Sequence, residues 1–204
     1  MDIGGGSIQI SLFDKDTLVS TQNLRLGVLR LQELLNHLNA GSTQMEQLVD
    51  ELATAQLDDY KKLYLKDREI KNIIIVDDYL SPWAVRKAHE RGDGNAMVDS
   101  KAFYQLMEAL RTRGTTELAK RMDIAEEKVP LVYISAVLTK RIAELMGAAL
   151  IWAPGVTLCD GIAYEYAEQN KLLRGEHDFA EDIIACAMNI SKRYNGSTRR
   201  ADTL

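Results

Sequence analysis

Apolar positions along the chain change period several times, and each change predicts an element. Ile8, Ile10 and Leu12 alternate with Gln9 and Ser11, the two-residue period of a half-buried strand over residues 7–13. A polar turn at residues 14–16 and a second strand over 18–26 complete a hairpin. From Gly27 the period becomes helical: Val28, Leu31, Leu35 and Leu38 recur on one face until a stop at residues 39–41. Thr43 followed by Glu46 has capping-box spacing and predicts a helix carrying Leu48, Leu52 and Ala55. The β-branched run NIIIV at 72–76 predicts a strand buried on both faces. Ser81-Pro82 predicts a helix start with a serine cap.

After the GDGN loop at 92–95, Ser100 opens a helix bearing Phe103, Leu106, Met107 and Leu110. A short helix follows Gly114 and ends near Met122. A longer one places Ile134, Leu138, Ile142 and Leu145 on one face. Residues 149–153 are the last strand, and helices follow over 161–173 and 178–193. In the latter, Ile183, Ile184, Ala187 and Ile190 form the face to be buried. Helices inserted between strands imply crossovers, so the order predicts an α/β fold with a mixed sheet covered on both faces. A separate helical segment begins near residue 174, which divides the chain into 1–173 and 174–204.

Composition narrows the function classes. A formal net charge of −5 disfavours nonspecific nucleic-acid binding, which needs a positive field. No apolar run reaches the roughly 20 residues that span a bilayer. Cys159 and Cys186 lack metal-ligand spacing and predict two reduced thiols in a cytoplasmic protein.

The chemistry concentrates at the front, in DIGGGS. Gly4, Gly5 and Gly6 have no Cβ to block an anion from successive backbone N–H groups, and Ser7 adds a hydroxyl donor. Asp2 would repel phosphate directly and instead suits Mg²⁺ or a metal-bound water. A tight turn into a strand uses the same hexapeptide.

DIGGGSIQISLF, then LRLGVLRLQELL, then TLCDGIAYEYA resembles the exopolyphosphatase/guanosine pentaphosphate phosphohydrolase family over roughly residues 1–173. In that family DIGGGS is the second phosphate-binding motif, and residues 23–31 match the glycine-containing element after it. Arg121, Asp160 and Gly161 fit the later arginine and the DG before the closing helix. The resemblance implies one ribonuclease-H-like subdomain of the actin/hexokinase/Hsp70 superfold, with the other lobe and its water-activating glutamate supplied elsewhere. It implies release of terminal phosphate from polyphosphate or guanosine pentaphosphate with Mg²⁺. Asp2 would serve as the metal carboxylate, Gly4 to Ser7 as the phosphate cradle, and Arg121 as a phosphate contact or a structural ion pair. The complementary lobe is the protein partner it implies, and the face left exposed without that lobe makes a second copy of the chain the other expected partner.

One departure is visible: where the family has glycines after the buried strand, this chain has Asp77-Asp78-Tyr79. Two carboxylates there disfavour an anion and suit a cation or, as solvated groups, a strand end and helix cap. That departure also leaves open a non-catalytic binding module; a sugar kinase of the same superfold fits the elements after DIGGGS less well.

Other constellations carry less. His177-Asp178 lacks the further ligands of a metal phosphohydrolase and suits a helix start. His37 and His89 have no partner spacing, and no serine lies in a GxSxG elbow. Arg111 with Arg113, and Arg199 with Arg200, are expected as solvated helix ends. Trp83 and Trp152 are expected as core or subdomain contacts.

Overall fold

The computed structural model describes residues 1–196 except Asp16, Ala40, Asp93, Asn95 and Glu176; the side chains of Ser42 and Thr43 also lie outside the described set, as do Arg199 and Arg200. Six strands and eight α-helices are described. In order they are β1 (Asp2–Ile3), β2 (Ile8–Asp14), β3 (Thr17–Leu24), α1 (Val28–His37), α2 (Ser42–Tyr60), β4 (Asn72–Ile74) and β5 (Val76–Asp77). Then follow α3 (Ser81–Glu90), α4 (Ser100–Thr112), α5 (Thr115–Met122), α6 (Val129–Met146), β6 (Leu150–Trp152), α7 (Leu158–Gln169) and α8 (Phe179–Arg193).

The strands run in the order β3-β2-β1-β5, with a second pair β4-β6. β1 lies parallel to β5, Ile3 opposite Asp77, and β4 lies parallel to β6, Ile73 opposite Ile151. The NIIIV run is therefore shared between two pairings rather than forming one buried strand. Val76 N–H donates to Met1 O at 2.8 Å on one side, and Ile75 N–H donates to Trp152 O at 2.8 Å on the other. Ile73 and Ile75 are buried, but Ile74 is 49% exposed, so burial on both faces fails at the middle of the run.

Two compact units emerge. The larger comprises residues 1–8 and 24–157, the smaller residues 9–23 and 158–204. The core of the larger unit is α6, which packs against α1, α2, α4 and α5. From Val132 to Thr139 every residue of α6 is buried, the pattern of a helix enclosed on all sides. Burial of each large apolar side chain there is worth about 1.5–3 kcal/mol. Gly147, at φ +69°, ends the helix in the left-handed conformation that glycine adopts without a Cβ penalty. The Lys61 ammonium donates to Leu145 O at 2.9 Å, meeting a carbonyl that the helix end leaves unpaired.

Two local readings are corrected along α2. Its buried stripe is Met45, Val49, Ala53, Leu57 and Tyr60, while Leu48 and Leu52 are half-buried and Ala55 is exposed. Both sets have helical spacing, and packing against α6 selects the other one. The helix start uses Gly41, whose N–H donates to Gln44 Oε1 at 3.2 Å, rather than a Thr43–Glu46 box. Glu46 instead anchors a network. Arg111, expected as a solvated helix end, grips it with Nε to Oε2 at 2.8 Å and Nη2 to Oε1 at 2.5 Å. Tyr133 Oη donates to the same carboxylate at 3.1 Å.

The Arg111 hydrogen bonds hold the Glu46 carboxyl below the usual range, against the opposing pull of burial. Burial, then the Glu46 charge, pushes the Tyr133 hydroxyl up to about 12. Because the Glu46 pKa is depressed on folding, its contribution is present above the ordinary carboxylate range and disappears as pH falls through the folded value. Glu46→Gln should therefore cost about 1 kcal/mol at pH 7. That deficit should shrink toward zero by pH 3, read by urea unfolding at both pH values; an unchanged deficit at pH 3 would show that ionisation is not its source.

In the smaller unit, α8 is capped by Asp178, whose carboxylate accepts from Ala180 N at 2.8 Å, as its helix-start position predicts. Asp182 accepts from Leu18 N at 3.2 Å and lies 2.6 Å from His177 Nε2. The face expected to be buried is open: Ile183 is 70% exposed, and Phe179, Ile184 and Ile190 are exposed too. Asp182, on the opposite side, makes the contact with the hairpin. Cys159 and Cys186 are free thiols. Among the described residues no helix is long and apolar enough to cross a membrane.

Candidate functional site

The candidate site lies where parallel strands end. β1 stops at Ile3 and β5 at Asp77, side by side, and open α/β sheets place ligands beyond the carboxyl ends of their strands. After β1 the glycine loop closes with Gly4 N–H donating to Ser7 O at 3.0 Å.

The carbonyls of the three loop glycines are turned toward α1. Gly4 O accepts from Val28 N at 3.0 Å, and Gly5 O accepts from Leu29 N at 2.9 Å and Arg30 N at 3.1 Å. Gly6 O accepts from Arg30 Nε at 3.0 Å. The glycine loop therefore caps α1, whose N-cap residue Gly27 supplies no side chain. In a trans peptide the N–H points opposite the preceding C=O. The N–H groups of Gly5, Gly6 and Ser7 thus face away from the atoms that bind their carbonyls. Those of Gly5 and Gly6 donate to no other backbone group among the described residues. Successive, like-directed amides of this kind form a concavity suited to an anionic oxygen.

The glycines differ in what they tolerate. None of the three loop glycines has a positive φ. A Cβ on Gly6 would meet nothing within 4 Å, and one on Gly5 would meet the flexible Leu29 side chain at 2.9 Å. Gly27 is the crowded position: its Cβ would lie 2.1 Å from Gly6 C and 2.2 Å from both Gly5 O and Ser7 N, all backbone. Sequence reasoning did not name Gly27 and Arg30 as site residues, although both lie in the 23–31 element that resembles the family's and the glycine stands directly before the helix.

The other expected residues are placed as follows. Asp2 is exposed on β1, opposite Val76, while its neighbour Ile3 is buried. Among the described residues no group of three or more His, Cys, Asp or Glu side chains could hold a metal. A cation at Asp2 would therefore draw its remaining ligands from water and phosphate oxygens, a usual arrangement for Mg²⁺. Arg121 is exposed on α5 and pairs with Glu117 at 3.7 Å.

Asp77 is not a solvated strand end. It is 7% exposed, and its Oδ2 accepts from Leu80 N at 2.9 Å and Ser135 Oγ at 2.7 Å, while Oδ1 accepts from Ser81 N at 2.6 Å. Asp77 thus caps α3 from outside the helix, and Ser81, the expected cap, has a buried hydroxyl with no hydrogen-bond partner. With both oxygens engaged, Asp77 is committed to structure rather than to a cation. Asp78 is exposed and borders a half-open cavity of about 270 Å³ lined also by Tyr79, Trp83, Arg86, Ile124 and Lys128. Burial, then the charges of Asp78 and Asp77, raises the Tyr79 hydroxyl pKa. Trp83 is buried as expected, and Trp152 is 39% exposed.

No protein-family model matches the sequence, and no curated protein matches it. Solved structures do. The Aquifex aeolicus Ppx/GppA phosphatase, in its type II variant, superposes with a TM-score of 0.65 at 11% identity, covering 80% of this chain and 55% of that one. An exopolyphosphatase from Cytophaga hutchinsonii gives 0.60 at 17% identity, covering 83% and 56%. The chain thus spans about half the length of these structures, and at such identities the likeness is one of fold. That fold, shared with these structures, is a mixed sheet flanked by helices, as the element order predicted.

Proposed function

We propose that this chain is the phosphate-holding lobe of a phosphoanhydride hydrolase, acting on polyphosphate or guanosine pentaphosphate together with a complementary lobe. The observation that carries the reading is the glycine loop, whose carbonyls are bound on the side of α1 and Arg30 while its amides face the other way. Its place at the carboxyl ends of two parallel strands, and the fold shared with phosphatases of this kind, support it.

In this reading the amides of Gly5, Gly6 and Ser7 hold a terminal phosphate, and Ser7 Oγ donates to a further oxygen. Bound Mg²⁺ would neutralise phosphate charge, with Asp2 as its carboxylate or the acceptor for its waters. Rate enhancement in phosphoryl transfer comes chiefly from positioning and electrostatic stabilisation, which is what a rigid amide cradle supplies. Arg121 would contribute after release from Glu117, a surface pair worth little to keep. The water-activating base belongs to the complementary lobe, so this chain alone binds without turnover.

Titration of ¹⁵N-labelled chain with tripolyphosphate, with and without Mg²⁺, tests the reading. The amide resonances of residues 4–7 should move first and saturate. Unmoved resonances would overturn the phosphate assignment, and phosphate release by the chain alone would overturn the placement of the base. The commitment of Asp77 to structure favours one alternative, a lobe that binds phosphate chains without hydrolysis. Phosphate bound but never released by the two lobes together would establish it.

A further inference from the structure

One side of α8 turns an unbroken apolar stripe outward. Phe179, Ile183, Ile184, Ala187, Ile190 and Tyr194 are all exposed. Phe179, Ile183, Ala187, Ile190 and Tyr194 follow one another at three- and four-residue steps, the spacing of a seam between two helices. The helix is tied to its own unit from the other side, where Asp182 accepts from Leu18 N of β3. A single exposed isoleucine is ordinary, whereas a continuous stripe along a capped helix marks an interaction surface.

Its size suits a specific contact. Large side chains carry on the order of 150–200 Å² each, so the five large residues of the stripe leave roughly 600 Å² open. Two such stripes laid together bury about 1,200 Å², which reaches the lower bound of stable protein interfaces.

The stripe also matches itself when turned end for end about Ala187. Ile183 then stands over Ile190 and Phe179 over Tyr194, and the small Ala187 side chains let the helices approach at the crossing. The same rotation brings the acidic first turn, with Glu181 and Asp182, toward the basic last turn, with Lys192 and Arg193. It also opposes the two helix dipoles, whereas a parallel pair would set like charge beside like. A two-fold contact requires this self-match, and an unrelated partner does not.

We propose that α8 is a two-fold interface through which the chain pairs with a second copy, the helices antiparallel and crossing at Ala187. The pairing goes beyond the phosphate reading and uses none of its residues.

Sedimentation equilibrium on the full chain tests it. A reversible monomer–dimer equilibrium is expected, with Kd on the order of 10 μM. Ile183→Lys alone, or Ile190→Glu alone, should weaken it about a hundredfold, because each sets a charge against an isoleucine. Both positions are exposed, so the fold should survive, as circular dichroism checks. An equimolar mixture of the two variants should associate at least about tenfold more tightly than either alone. The antiparallel register brings the introduced ammonium of one copy against the introduced carboxylate of the other. A mixture no tighter than its parts would overturn the antiparallel pairing, and association that persists in both single variants would place the contact on another face. A wild-type chain still monomeric at about 1 mM would overturn the proposal outright. The stripe would then belong to the complementary lobe if adding that lobe protects the α8 amides from hydrogen exchange.

Discussion

Gly27→Ala is expected to dislodge the glycine loop and destabilise the larger unit by about 3 kcal/mol or more. The cause is not conformational. Gly27 sits at φ −67° and ψ 146°, a backbone that alanine adopts freely. The obstacle is the peptide plane of the loop, 2.1–2.2 Å from where the methyl carbon would be. Backbone cannot rotate aside as a side chain does, so the loop must lift, and lifting breaks the bonds from Val28, Leu29 and Arg30 to Gly4 O and Gly5 O. Val28 is fully buried, so its N–H would lose its partner in a place water reaches poorly. Gly6→Ala is the control. Its Cβ enters open space at an unstrained φ, so stability should change by less than about 0.5 kcal/mol or rise slightly through the unfolded state. Trp83 and Trp152 both belong to the larger unit, so urea unfolding followed by their fluorescence reports on it selectively. Equal midpoints for the two variants would show that the loop does not depend on its contact with Gly27.

This pair of variants also marks how far the sequence could be read. Composition alone identified residues 4–7 as a loop built for close backbone approach. It could not say that the glycine with no freedom stands twenty residues downstream, because that constraint arises only when α1 packs against the loop. Elements with strong periodicity and clear punctuation were legible: the alternation around Ile8 and Leu12 became β2, Pro82 opened α3, and most of the expected apolar faces of α4 and α6 are buried, Phe103 and Leu145 being half-buried. Ambiguity appeared where a pattern admitted two partners. NIIIV is uniformly apolar, so nothing in it records that one end pairs with β1 and the other with β6. On α2 two stripes had helical spacing, and only contact with α6 decides between them. On α8 the apolar stripe was read correctly as a helix face, yet its burial needs a surface that the described residues do not supply.

Polar residues were the hardest to read, because a carboxylate's role depends on which donors surround it. Glu46 had the spacing of a cap and became the acceptor for a guanidinium and a phenol. Asp77 was expected as a solvated strand end and helix cap; it is a helix cap, but the structure buries it. The general expectation failed there for a definite reason: three donors converge on one carboxylate, and hydrogen-bonded charge can be buried where bare charge cannot.

Asp77→Ala should consequently be the most damaging polar substitution in the larger unit, at about 3 kcal/mol. It removes the acceptor for the first N–H groups of α3 and orphans the Ser135 hydroxyl inside α6, where no residue from Val132 to Thr139 reaches solvent. Asp77→Asn keeps one acceptor oxygen but turns an amide donor toward one of the donors, so it should cost about half as much. Ser135→Ala removes the hydroxyl while leaving both backbone bonds in place, at about 1 kcal/mol. A double-mutant cycle between positions 77 and 135 should give a coupling above about 0.5 kcal/mol, since the two side chains are in direct contact. The damage should also be felt at the candidate site, because Asp77 stands in register with Ile3, the last strand residue before the glycine loop. Amide shifts of Gly4 and Gly5 should accordingly change in Asp77→Ala and not in Ser135→Ala. If Asp77→Ala unfolds within about 0.5 kcal/mol of wild type, the carboxylate is not the strut that ties β5 to α3 and α6, and a cation at this strand end becomes the better account of two aspartates in succession.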